Sequence, residues 1–189
     1  LAVYFTSSAT GTAPPTQRIQ VDDTVEPSPA VIERSLPLGD DFSDPASGFG
    51  VQEDADGQVT YADGVLRFTV LTPGIEWFSP LEGPTEQDLT IEVNAQRLDG
   101  PPGSEMGIVC RWQDQDNFVA AALRNDGMVS LWKKTDGVED RWLDWTAMPG
   151  SAVDAGAARG LQLTWAGPAG RFAAAGVLAQ KISFDRDTF

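Results

Sequence analysis

The chain has 189 residues, enough for one domain with an extension and a substantial core. Its 13 basic and 28 acidic residues give a net charge of −15, which excludes nucleic acid as a partner because phosphate backbones require clustered Lys and Arg. The chain has no histidine and one cysteine, Cys110, so zinc sites, Cys–His and Ser–His catalytic sites and intrachain disulfides lack their residues. Calcium, which takes carboxylate and carbonyl oxygens, remains compatible with this composition.

The first 35 residues differ in composition from the rest. They open with five apolar residues, LAVYF, which cannot cross a bilayer because a crossing takes about 20 residues. These five are either the outer end of a membrane anchor or signal segment, or an apolar start that docks on the domain. Residues 6–35 are rich in Thr, Ser, Pro and Ala, which is typical of an extended tether. We therefore predict a tether over residues 1–35 and a domain over residues 36–189.

Short apolar runs alternate with turn residues in the first half of the domain. The runs VTY and VLRFTVL flank Ala62-Asp63-Gly64, a pattern that predicts a β-hairpin. Turns recur about every eight to twelve residues, the spacing of a sandwich rather than of βαβ units. Residues 89–97 alternate between apolar and polar side chains, which predicts a strand with one face on the core.

The segment Glu105–Lys134 predicts three antiparallel strands joined by two polar turns. Its apolar runs are separated by QDQDN and by Asn-Asp-Gly at residues 125–127, whose residues tolerate the positive φ angles of tight hairpins. Residues 107–112 are apolar apart from Arg111, so we predict a central strand covered on both faces. Further strands are predicted at residues 141–145 and in a final hairpin, and no long amphipathic helix is predicted. The chain is predicted to be all-β.

Three passages resemble a known family: DDFSDPASGF, YADGVLRFTV and GIVCRWQDQDNFVAAALRNDGMVSLWKK. They are similar to the concanavalin A-like lectin/glucanase jelly roll, especially bacterial domains of the 3-keto-disaccharide hydrolase type and their non-catalytic relatives. The resemblance covers Leu36 to Phe189. It implies a two-sheet antiparallel jelly-roll sandwich, carried on the extended N-terminal tether, and a cell-envelope context.

The chain departs from the family pattern at two places. Ala175-Gly176 stands where these domains usually have an Asn-Gly turn. The chain also stops at Phe189, where the family continues into a closing strand. We therefore expect an open sheet edge that the N-terminal tether or a partner covers.

The candidate catalytic residues are the carboxylates of Glu86, Asp88 and Glu92, which period-2 geometry places on one side of a strand. Retaining glycosidases need two carboxyl groups about 5 Å apart. The family's retaining glucanases place the second Glu four or five residues after the first, whereas Glu92 follows Glu86 by six. A solvated acidic edge is the alternative interpretation, and it is the one we favour.

A candidate ligand-binding groove is predicted on the concave sheet. Aromatic platforms beside planar hydrogen-bonding side chains are typical of sugar sites. The residues expected on this face or at its rim are Glu92, Asn94, Arg111, Arg124, Trp132, Lys134, Trp77 and Trp142. The alternative is that Trp132 belongs to the core and that Arg111 is buried against a carboxylate such as Glu92. A one-residue change of register would scatter the set.

The candidate calcium ligands are Asp40, Asp41 and Asp44, near the start of the domain. The sequence contains no EF-hand pattern. Aspartates that cap their own backbone in a turn are the preferred alternative.

The function we expect from the sequence is that of a non-catalytic, extracytoplasmic domain on a membrane tether, in the periplasm or at the cell surface. It would bind carbohydrate or another envelope component through its concave face. The first alternative is a structural subunit of a membrane-associated assembly, contacted through residues 1–35 and the open edge. The second is a hydrolase acting on glycosides.

Overall fold

The computed structural model describes residues 2–6, 39–81, 88–150, 152, 156–166, 169–174 and 177–183. Within them the chain forms thirteen strands and one 3₁₀ turn, Pro45–Ser47. The strands are β1 Ala2–Thr6, β2 Gln52–Asp54, β3 Gly57–Ala62, β4 Val65–Val70, β5 Glu76–Pro80, β6 Leu89–Gln96, β7 Glu105–Asp114, β8 Asn117–Arg124, β9 Met128–Thr135, β10 Val138–Ala147, β11 Ala158–Ala166, β12 Ala169–Ala174 and β13 Val177–Ser183. No helix in these ranges is long and apolar enough to cross a membrane.

The largest sheet has six antiparallel strands in the order β10-β9-β8-β7-β1-β5. Strand β7 lies inside it, between β8 and β1, and residues Met106 to Cys110 are buried. The prediction of a central strand here is confirmed. The predicted turn between β8 and β9 is also present, with Gly127 at φ 85°.

Two smaller sheets form the opposite layer. One has four strands in the order β13-β12-β11-β6, and the other has three in the order β2-β3-β4. The three-stranded sheet covers the β5 end of the large sheet, where Trp77 packs under β3. The predicted all-β, two-layer antiparallel sandwich is therefore present, although its second layer is divided into two sheets.

The sandwich core lies between the six-stranded and four-stranded sheets. Alternate residues of the central strands point into it, as the pleat requires. Its largest buried members are Ile108, Leu123, Leu131, Leu161, Leu163, Trp165 and Phe172. Cys110 is 1 % exposed in this core, and burial raises the pKa of its thiol to about 12, so it is a packing residue rather than a nucleophile.

Strand β1 comes from the segment predicted to be a tether. Ala2–Thr6 lies between β5 and β7 and pairs antiparallel with both. These residues therefore dock on the domain, which is one of the two interpretations of LAVYF. Residues 7–38 lie outside the described part of the chain, and the boundary at Leu36 remains a prediction.

Candidate functional site

The outer face of the six-stranded sheet, turned away from the sandwich core, is concave. Three strands lie between β5 and β9, so the two are four strand-to-strand steps apart. At about 4.8 Å a step, they would be about 19 Å apart in a flat sheet. The Lys134 ammonium on β9 is nevertheless 3.5 Å from the Glu76 carboxylate on β5. The sheet therefore curls strongly toward this side, and the ion pair bridges its two flanks.

An aromatic cluster fills one part of the concave face. The rings of Phe78, Trp112 and Phe118 have centroids 4.9 to 5.7 Å apart. The Lys134 ammonium lies 5.5 Å from the centroid of Phe118, so it contacts a ring as well as a carboxylate. Phe118 is 2 % exposed, so this part of the face is a small second core rather than an open groove.

Arginine and tryptophan side chains stack along another part of the face. The Arg141 guanidinium lies 5.1 Å from the Trp132 ring centroid and 5.7 Å from that of Trp145. The Arg124 guanidinium lies 5.2 Å from the Trp145 centroid. Each such contact contributes about 0.5–1 kcal/mol when exposed and more when water is excluded. We call Arg124, Trp132, Arg141 and Trp145 the Arg–Trp stack.

Irregularities in β10 put Leu143 on the face opposite Arg141 and Trp145. The pairing of β10 with β9 shifts between Arg141 and Leu143 and again between Leu143 and Thr146. Bulges of this kind re-aim side chains. Arg141 and Trp145 consequently face the concave side, while Leu143 packs against the sandwich core.

The cations of the concave face are held by carboxylates. Arg141 donates to Glu139 at 2.7 Å and to the Ser130 hydroxyl at 2.9 Å, and Ser130 donates to the Leu143 carbonyl. Arg124 pairs with Asp126 at 2.8 Å. With Lys134 and Glu76, these pairs balance three positive charges with three negative ones. The site offers planar donors and acceptors with no net charge among these six groups.

Glu76 is the carboxylate at the β5 flank of this face. Burial raises its pKa above the ordinary value of 4.5, and the neighbouring Glu139 carboxylate acts in the same direction. Lys134 and Arg141 act in the opposite direction. The desolvation of Glu76 outweighs the attraction of its cationic neighbours.

The predicted ligand-binding residues do not share one face, which corrects the expectation of a single groove. Arg124, Trp132 and Lys134 come together on the concave face, but Trp132 is 1 % exposed and belongs to the buried cluster. Trp77 is also a core residue, at 4 % exposure. Consecutive residues of a strand point to opposite faces, so Trp77 points away from Phe78 and packs against the three-stranded sheet.

The other predicted residues lie elsewhere in the sandwich. Glu92 and Asn94 are exposed on the four-stranded sheet, where Glu92 accepts a hydrogen bond from Gln162. Arg111 adopts a positive φ of 52° within a break in the β7–β8 pairing, and its guanidinium lies over the Trp165 ring. Trp142 contacts the same ring. The contact that places Arg111 is therefore with an aromatic ring of the four-stranded sheet.

Two of the three candidate catalytic carboxylates, and all three candidate calcium ligands, lie in the described part of the chain. Glu86 lies outside the described residues, and Asp88 is exposed just before β6. Asp40, Asp41 and Asp44 each accept the backbone N–H two residues further on, and the bonds from Ser43 lower the pKa of Asp41. In the described ranges no three acidic or cysteine side chains are grouped to hold a metal ion. These aspartates form the backbone-capping turn that was the alternative interpretation.

Sequence reasoning missed several residues of the concave face. Glu76, Ser130, Arg141 and Trp145 contribute to it, and none was a candidate. The spacing of Arg141 and Trp145 was a usable signal, because residues four apart in a strand lie on the same face. The same rule would have placed Leu143 with them. The bulges that move Leu143 to the opposite face have no recognisable pattern in the sequence.

Fold and site together define a β-sandwich domain with an aromatic and ion-paired concave face. No family model matches the chain, and no curated protein matches it. A solved structure titled "carbohydrate binding module CBM66 from Bacillus subtilis" is similar, at 17 % identity and a TM-score of 0.45. The match covers 53 % of this chain and 60 % of that one. A likeness at this level does not indicate which ligand this chain binds.

Proposed function

We propose that the chain is a non-catalytic binding module for carbohydrate, acting through its concave face. The observation that carries the proposal is the half-buried ring of Trp145 beside two guanidinium groups, each held by a carboxylate. Such a ring offers an apolar surface to the C–H face of a sugar, and the guanidinium and carboxylate groups hydrogen-bond hydroxyls.

The charge balance of the site favours an uncharged saccharide. Each of Lys134, Arg124 and Arg141 faces a carboxylate, so an added anion would compete with an existing ion pair. The resemblance to the non-catalytic relatives of 3-keto-disaccharide hydrolases implies the sandwich fold of such a module. It also supports an extracytoplasmic, tethered location, which cell fractionation of the natural host would test.

Retention on polysaccharides tests the proposal. We expect the whole chain to be retained on at least one insoluble polysaccharide or glycan-array feature, and Trp145→Ala to weaken retention about tenfold or more, because the loss of a stacking platform removes its contact area. Trp142→Ala is the matched control, since Trp142 is also half-buried on β10 but packs against the sandwich core. Circular dichroism verifies that both variants fold.

Two results would count against carbohydrate binding. The first is the absence of retention on any glycan for a folded chain. The second is equal loss of retention in the two tryptophan variants, since that would trace the effect to stability.

The two alternative functions keep their own tests. A structural role in a membrane-associated assembly, contacted through residues 1–35 and an open sheet edge, is the first alternative, and stable co-purification without glycan binding would support it. A glycoside hydrolase requires turnover that Glu92→Gln abolishes.

A further inference from the structure

Ser130 is a polar side chain enclosed beneath the Arg–Trp stack. It lies on β9 and is fully buried. Its hydroxyl donates to the Leu143 carbonyl at 2.8 Å and accepts a hydrogen bond from Nη1 of Arg141 at 2.9 Å. A buried hydroxyl that both donates and accepts is held in one orientation. Ser130 is therefore fixed by β10 and in turn fixes Arg141.

The bond to Leu143 links Ser130 to the irregular part of β10. The pairing with β9 shifts on both sides of Leu143, between Arg141 and Leu143 and between Leu143 and Thr146. A bulge takes residues out of the regular ladder, so their backbone groups need other partners. Ser130 supplies one such partner, and it couples the irregular backbone to the position of the Arg141 guanidinium.

The Arg141 guanidinium is held on three sides before any ligand is present. Its Nη1 group donates to Ser130, and its Nη2 group donates to Glu139 at 2.7 Å. Its third contact is the ring of Trp132, which is itself buried. A binding group that is already ordered loses little conformational entropy when a ligand arrives.

Arg141 keeps hydrogen-bonding capacity for a ligand. A guanidinium carries five N–H donors in a planar fork, and Ser130 and Glu139 each accept one bond, which leaves three donors unused by the described residues. The Arg141 side chain is 31 % exposed, and the half-buried Trp145 ring lies beside it. A sugar ring placed on Trp145 would bring its hydroxyl groups within reach of these donors.

The other two cations of the concave face are less suited to this role. Lys134 is 17 % exposed, and its ammonium lacks a planar fork of donors. Arg124 is 27 % exposed, and its Nε atom is buried, so that donor does not reach a ligand. Arg141 is the most exposed of the three and the one fixed by a buried hydroxyl.

We propose that Arg141, positioned by Ser130, determines the specificity of the concave face by donating two parallel hydrogen bonds to neighbouring hydroxyl groups of a saccharide. The ligand is then a sugar unit with two adjacent free hydroxyls, which the rigid fork of a guanidinium can bind together. Hydroxyl oxygens are neutral acceptors, so they leave the ion pair with Glu139 intact. The inference rests on the proposed carbohydrate function and adds the chemistry that selects the sugar.

Deoxy sugars test the hydroxyl pair. The probe is the glycan-array feature that retains the unmodified chain best, and it is compared with synthetic analogues in which one hydroxyl at a time is replaced by hydrogen. We expect the loss of either of two adjacent hydroxyls to weaken binding about tenfold, the usual effect of one lost hydrogen bond to a charged group.

Arg141→Met tests which residue reads those hydroxyls. Methionine keeps apolar contact with the neighbouring rings and removes every donor. The variant should bind the parent sugar and the two deoxy analogues equally. Arg67→Met is the matched control, since Arg67 is an exposed arginine on β4 that pairs with Asp63, and it should keep the preference for the parent sugar.

Ser130→Ala tests the positioning role. We expect it to weaken binding of the parent sugar about tenfold in the unmodified background and to have no further effect in the Arg141→Met background, because Ser130 acts through Arg141. A purely structural role would weaken binding equally in both backgrounds. Circular dichroism verifies folding, and the comparison of Arg141→Met with the deoxy sugars is decisive even if Ser130→Ala does not fold.

Three results would overturn the proposal: an unchanged preference for the parent sugar in Arg141→Met, a deoxy series in which no two adjacent hydroxyls matter, or additive effects of Ser130→Ala and Arg141→Met. Each of them leaves the carbohydrate proposal standing if Trp145→Ala still weakens retention. A folded chain that no glycan retains would overturn both.

Discussion

Single residues show how closely the strands of this chain approach one another. Gly57 on β3 lies against β4 and against Trp77, so closely that an added Cβ would be 2.2 Å from the Thr69 carbonyl oxygen and 3.0 Å from the Trp77 ring. Because Thr69 belongs to the strand that pairs with β3, its carbonyl cannot move without disturbing the ladder. The absence of a side chain at Gly57 is a requirement of the packing.

Gly57→Ala should therefore destabilise the domain by about 1–3 kcal/mol, the usual cost of overpacking. Gly39→Ala is the control, since an added Cβ there meets nothing within 4 Å. Urea unfolding followed by tryptophan fluorescence measures both. Equal stability of the two variants would contradict the close approach of β3 and β4 under Trp77.

Strands β5 and β9 are joined across the concave face by the salt bridge between Glu76 and Lys134. Its two side chains are 29 % and 17 % exposed, so the pair is largely screened from water. Strands β5 and β9 are not neighbours, and the contact depends on the curl of the sheet between them. The contact of Glu76 with Lys134 therefore requires the curl of the sheet.

The pH dependence of stability should reveal this buried carboxylate. Burial raises the pKa of Glu76 in the folded state above 4.5, so the folded chain holds the proton more tightly than the unfolded chain. Its contribution to stability is then full below pH 4.5 and is lost as pH rises through the folded-state pKa. Glu76→Gln should lack this loss.

Urea unfolding of the unmodified chain and Glu76→Gln between pH 4 and pH 8 provides the comparison. The difference in unfolding free energy, unmodified chain minus variant, should decrease as pH rises and then level off. A difference that increases with pH would show that attraction to Lys134 and Arg141 outweighs the desolvation of Glu76.

The molecule as a whole depends on one core between its two layers. Leu163 on β11 is fully buried there, among residues of β7, β8, β9 and β12. The six-stranded sheet is therefore covered on its inner face by the second layer and partly on its outer face by its own aromatic side chains. Loss of the inner contact should affect both layers together.

Leu163→Ala should cost about 2–5 kcal/mol, the range for truncating a buried leucine. Leu71→Ala, at a residue 66 % exposed, should change stability by less than about 0.5 kcal/mol. Far-ultraviolet circular dichroism and tryptophan fluorescence should give coincident unfolding curves for both variants. Separate transitions would show that the two layers unfold independently.

Local features of the sequence predicted the strands well and the candidate site poorly. The hairpin at Asp63-Gly64 and the turn at residues 125–127 follow from residues that tolerate positive φ. Asp63, Gly64 and Gly127 all adopt positive φ in the fold. The grouping of Arg124, Trp132 and Lys134 was anticipated from adjacent strands. Glu92 and Asn94 were assigned to the wrong layer, because alternation shows which residues share a face and does not show which layer a strand joins.

By itself the sequence determined the all-β class, the hairpin turns and the classes of site whose histidine and cysteine residues the chain lacks. Alternation and turn residues are local properties of the sequence, and composition is a property of the whole chain. Only the tertiary structure decided which side chains meet. The curl of the six-stranded sheet joins Glu76 to Lys134. The pairing of β8, β9 and β10 forms the Arg–Trp stack, and the irregularities of β10 send Leu143 to the other face. The division of the second layer opens a cleft beside β6. Each arises from contacts between strands, where no local pattern operates.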